Sequence, residues 1–131
     1  MSQTRRKFLT LISLLSLGTL AKANPMKKKP QLAHHVFFWL KDPSSTADRD
    51  KLIQGVKALG KIKQVKMLHV AVPASTEKRE VVDNSYSVSE LLFFDSLQDQ
   101  QIYQDHPLHQ KFIQDHSMLW DKVVVYDSME V

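Results

Sequence analysis

The chain contains no cysteine and only three glycines, Gly18, Gly55 and Gly60. The first absence excludes a disulfide framework, a thiolate nucleophile, a cysteine-ligated zinc or iron–sulfur site and a lipid-modified cysteine. The second leaves no glycine-rich phosphate loop. A Gly-x-Ser-x-Gly elbow, a His-Glu-x-x-His pair and an internal repeat are also missing, which argues against nucleotide chemistry. No apolar run is long enough to span a bilayer: the longest, Phe8 to Leu20, has about 13 residues where about 20 are needed. What remains, 131 residues with 43% hydrophobic and 24% charged content, fits one globular domain.

The formal net charge of +4, from 18 basic and 14 acidic residues, would suit a polyanionic partner. Its location removes that reading. Residues 1–23, MSQTRRKFLTLISLLSLGTLAKA, have a basic start, a short apolar stretch and a small-x-small end at Ala21-Lys22-Ala23, the layout of a secretory signal. Within them Arg5-Arg6-Lys7-Phe8-Leu9 resembles the twin-arginine motif, the ordinary Sec signal being the alternative. The leader holds Arg5, Arg6, Lys7 and Lys22 and no acid, so the remainder has 14 basic and 14 acidic residues. Three of those positives, Lys27 to Lys29, fall in a Pro-flanked linker over 24–30. The domain over 31–131 is therefore slightly acidic. Export to a bacterial periplasm is expected, with no nucleic-acid partner and no stable membrane insertion once the signal is removed.

Within the domain, Leu32 to Lys41 reads as a strand so apolar that both faces should be covered. Ser45-Thr46-Ala47-Asp48 resembles a capping box opening a helix to about Leu59, with Leu52, Val56 and Leu59 on one face. Val65 to Val72 and Ser85 to Phe94 read as strands two and three, with Tyr86, Val88, Glu90, Leu92 and Phe94 sharing one face of the third. A second helical stretch from Leu97 to Trp120 is interrupted at Pro107, and Lys122 to Tyr126 forms the last strand. The order β-α-β-β-α-β predicts an α+β, ferredoxin-like protomer: a four-stranded antiparallel sheet with its helices on one face. The other face is too apolar for water, so a second copy or a ligand should cover it.

Four segments carry a family resemblance: His34-His35-Val36-Phe37-Phe38-Trp39-Leu40-Lys41, Tyr86-Ser87-Val88-Ser89, Tyr103-Gln104-Asp105-His106-Pro107-Leu108-His109 and Trp120-Asp121-Lys122-Val123. In order and spacing the chain resembles the stress-responsive A/B barrel (Dabb) family of dimeric α+β barrels. The resemblance implies a homodimer whose two sheets close into a barrel with an interior cavity. It also links the family name to stress induction of plant relatives. A few plant members are cyclases that use a histidine of the second helix as base and a tyrosine one turn earlier, which fall here on His109 and Tyr103. Their first-strand histidine matches His34, with His35 the other candidate, and their third-strand histidine position is Val88.

Six histidines, four of them in the pairs His34-His35 and His106/His109, make acid–base chemistry near neutral pH available. The competing assignments are plain structure: His106 as a helix cap, and His109 packed under the sheet with one ring nitrogen on a backbone carbonyl. No acid has diagnostic spacing for zinc, so neither a metal nor a cofactor is expected. His34, His35, His106, Phe38, Tyr86 and Trp120 are the candidate ligand-binding residues. Tyr86 is also a candidate for turn formation or dimer contact. Two functions stay open. One is binding of a small apolar or aromatic molecule. The other is a cyclase- or lyase-like enzyme in which His109 takes a proton beside a carbonyl and Tyr103 steadies the oxyanion. Cofactor-free oxygenation is a third, by analogy of fold alone. The export reading makes the first prediction: replacing Arg5 and Arg6 together by Lys traps the protein in the cytoplasm, as read by cell fractionation. Undiminished export would refute the twin-arginine assignment.

Overall fold

A computed structural model describes residues 28–131; the leader at 1–23 and most of the linker lie outside the described residues. The elements are β1 (Leu32–Leu40), α1 (Thr46–Ala58), β2 (Met67–Ala71), β3 (Val88–Phe94), α2 (Leu97–Asp105), α3 (Pro107–His116) and β4 (Trp120–Met129). The sheet order is β2-β3-β1-β4, antiparallel throughout. This is the expected ferredoxin-like plan, with the second helical stretch divided into α2 and α3.

Strand alternation decides which side chains meet the helices. In β1, Leu32, His34, Val36, Phe38 and Leu40 are buried, while Ala33, His35, Phe37 and Trp39 are half-buried on the other side. β1 is central and pairs over most of its length with both β3 and β4. Between sheet and helices the core gathers Val36, Leu40, Leu52, Val56, Leu59, Ile62, Leu92 and Leu119. The far face of β1 is only partly covered in one chain: Phe37 packs against Tyr86 (4.9 Å) and Tyr126 (6.1 Å), and Lys122 Nζ sits 4.4 Å from the Trp39 ring centroid. Among the described residues no helix is long and apolar enough to cross a membrane.

The helix starts follow the local sequence. Ser45 Oγ accepts from the Asp48 amide at 3.1 Å, and Ser96 Oγ accepts from the Asp99 amide at 3.1 Å. Several boundaries differ from expectation: β2 is shorter than Val65 to Val72, β4 is longer than Lys122 to Tyr126, and two more shifts bear on the site. β3 begins at Val88 rather than Ser85, because Asp83 Oδ1 takes both the amide (2.9 Å) and the hydroxyl (2.6 Å) of Ser85 and holds the chain in a turn. Tyr86 is thereby uncoupled from strand alternation and packs on the open face with Phe37 instead of sharing a face with Val88. α3 stops at His116, followed by a 3₁₀ turn at Ser117–Leu119, so Trp120 starts β4 opposite Leu40 instead of ending the helix.

At Gly55 α1 lies directly against the His116 ring of α3. A Cβ placed there would lie 2.4 Å from His116 Nε2. The His116 ring is held by Nδ1 at 2.9 Å from the Phe112 carbonyl oxygen and by stacking on the Phe112 ring (centroids 5.1 Å apart). Gly55→Ala is expected to lower stability, because an overpacking cost of about 1–3 kcal/mol exceeds the helix-propensity gain of about 1 kcal/mol. Urea denaturation checks it. The same change made on a His116→Ala background should be neutral or stabilising.

Candidate active site

The cavity that matters lies between the sheet and the α2–α3 pair. It has a volume of about 300 Å³, and its wall includes His34, Val36 and Phe38 from β1, Glu90 from β3, Gln104, His109, Phe112 and Ile113 from the helices, and Trp120, Val123 and Val125 from β4. β1 contributes at period two, and its neighbours β3 and β4 bring Glu90, Val123 and Val125 to the same face, which is why residues far apart in sequence share the wall. The apolar part is an aromatic run in which Phe38 meets Trp120 at 5.0 Å and Trp120 meets Phe112 at 5.8 Å.

The polar part is held by three devices. His34 Nδ1 lies 2.5 Å from Asp127 Oδ1, across the β1–β4 register pair. A carboxylate only accepts, so His34 Nδ1–H donates to it. Tyr103 is completely buried, with its ring 5.9 Å from His34 and 4.8 Å from His109. Its hydroxyl has no hydrogen-bond partner. Burial, with the nearby Glu90 charge second, pushes the phenol far above its ordinary value, so it remains a donor. His109 is also buried. Desolvation pulls its pKa below 6.5 against a hydrogen bond to the Gln104 backbone carbonyl, leaving a neutral imidazole near pH 7.

Residues 32–130 match the model of the stress responsive A/B barrel domain, Dabb. The chain belongs to that family. No curated protein sequence matches it. Among solved structures, a protein from Arabidopsis thaliana is 25% identical with a TM-score of 0.64, covering 76% of this chain and 95% of that one. A hydroxynitrile lyase from Passiflora edulis is 19% identical with a TM-score of 0.65, covering 79% and 96%. A dimeric protein of ferredoxin-like fold from Bacteroides fragilis is 18% identical with a TM-score of 0.61, covering 76% and 96%.

In this Dabb domain His34, Phe38, Tyr103, His109 and Trp120 come together between the sheet and the α2–α3 pair. Three other candidates do not join them. His35 is on the opposite face of β1, its ring 4.2 Å from Phe37. Burial and then the neighbouring His69 and His34 lower its pKa. Tyr86 shares an open-face hollow with Phe37, Trp39, Asp83 and Tyr126. His106 caps α3, its Nδ1 accepting from the Leu108 amide at 3.0 Å. Among the described residues no group of three His, Cys, Asp or Glu side chains could hold a metal ion.

Sequence reasoning overlooked Glu90 and Asp127. Glu90 is the one charged residue on the Val88–Leu92–Phe94 face of β3, and that position in the alternation was the available signal. It is 3% exposed, its Oε2 has no partner, and burial raises its pKa from 4.5 to about 8. The native state therefore keeps a proton that the unfolded chain releases. Stability should fall as pH rises from 4.5 to about 8, by up to about 1.4 kcal/mol per pH unit, and level off above. Glu90→Gln should abolish this component, so urea unfolding at pH 5 and pH 8 should show the variant gaining on the wild type as pH rises. An unchanged difference between the two would contradict a buried neutral carboxyl.

Proposed function

We propose that the cavity binds a small, largely apolar molecule with an oxygen function and moves a proton beside it, in the manner of a lyase or cyclase. The observation that carries this reading is the unpartnered Tyr103 hydroxyl beside a neutral, buried His109. A neutral imidazole can take a proton from carbon next to a carbonyl, and a phenol that stays protonated can donate to the oxyanion that forms. The aromatic wall supplies affinity and excludes water, which strengthens both interactions. A hydroxynitrile lyase on the same fold supports this class of chemistry.

The dimeric neighbour and the aromatic open face of the sheet support a homodimer paired through that face, which would bury His35, Phe37 and Tyr86. The signal-like layout of residues 1–23 supports an exported protein acting outside the cytoplasm. Binding without turnover is the second reading, favoured by the mainly apolar wall, and one measurement separates the two. In deuterated water the wild type should exchange the α-protons of aryl ketones such as acetophenone faster than buffer does, followed by proton NMR. His109→Ala should reduce that rate by about 10²–10⁴ while ketone affinity changes only a few-fold. A ketone that binds the wild type without any exchange leaves binding as the function.

A further inference from the structure

Among the described residues two buried side-chain atoms lack any hydrogen-bond partner, Glu90 Oε2 and Tyr103 Oη. They lie close together. Glu90 lines the cavity; Tyr103 is fully buried between His34 and His109, which also line it, and the two are near enough for the charge of one to act on the other. They come from different elements, β3 and α2, so no local turn or cap explains either. An unsatisfied buried polar group is costly, and one on a cavity wall marks a place where a ligand atom completes it. A protonated carboxyl can donate into a hydrogen bond, so the missing atom is an acceptor. The surrounding Phe38, Phe112 and Trp120 fit a flat apolar frame around it.

Building on the proton-transfer reading, we propose that Glu90 is a substrate-binding residue. Its carboxyl donates to an oxygen of the ligand, so the cavity selects aromatic or apolar compounds bearing a carbonyl, enol or phenol oxygen. The raised pKa of Glu90 keeps the acid form available at neutral pH. A neutral acid held in an apolar site to donate to an oxyanion is an established enzymatic device.

Equilibrium binding of 4-chlorophenol and 4-chlorotoluene, equal in ring and differing in the oxygen, tests it without any need for turnover. The wild type should prefer the phenol by about ten-fold or more, the effect of a lost hydrogen bond. Glu90→Gln retains an N–H donor and should keep the preference within about three-fold, whereas Glu90→Val should lose it and bind chlorotoluene as well as the wild type does. Glu90→Val removes a buried acid, so its folding is not at risk, and thermal melting checks that. A preference that survives Glu90→Val would show that only water fills the gap, and an equal loss for both probes would show a packing role; either overturns the proposal. Because the readout is binding, an intact phenol preference in a protein that exchanges no ketone proton would sink the proton-transfer reading alone.

Discussion

The site depends on the break in the chain between α2 and α3. Tyr103 and His109 are six residues apart, which on an uninterrupted helix would set them about 240° round the axis and point them in different directions. Pro107 has no amide to give and disfavours helical backbone at His106, which adopts an extended conformation with ψ 139. The chain turns there, and the two rings come to 4.8 Å. His106 makes the break stable by capping the new helix with its own imidazole. That is a structural task, and it accounts for a histidine so close to the site that takes no part in it.

The arrangement carries an energetic cost. A domain of this size is stable by only about 5–15 kcal/mol, and each unsatisfied buried polar group consumes about 1–3 of them. Glu90 and Tyr103 are therefore expensive residues in a strand and a helix that would pack well with apolar ones. The opposing contributions come from the continuous core of β1, β3 and α1, where Leu52, Val56, Val88, Leu92 and Phe94 are fully buried. Phe94 joins that core to the site, its ring lying 5.0 Å from Tyr103 and 6.3 Å from His34.

The fold was legible because each element carries its own period and punctuation: alternation in β1, Ser45 and Ser96 as caps, Pro107 as a break. The choice between His34 and His35 was not, since adjacent residues in an apolar strand look alike until the helices take one face. Tyr86 was misplaced for a related reason. Period-two counting holds only inside a paired strand, and the Asp83–Ser85 turn ends that pairing before Val88. Glu90 carried a readable signal, an acid in phase with apolar neighbours, but composition alone treats a lone glutamate as a solvated one. Asp127 could not be found locally, because its meaning comes from lying opposite His34, 93 residues away.

That cross-strand pair has an orienting consequence for the cavity. The side chain of His34 is 7% exposed and faces inward, while that of Asp127 is 52% exposed and meets solvent. Linked at 2.5 Å, they join the inner wall of the cavity to the solvent side of β4. The His34 imidazole is thereby held in one orientation on the wall by a group that itself lies outside the cavity, so the wall stays apolar apart from the face that His34 presents.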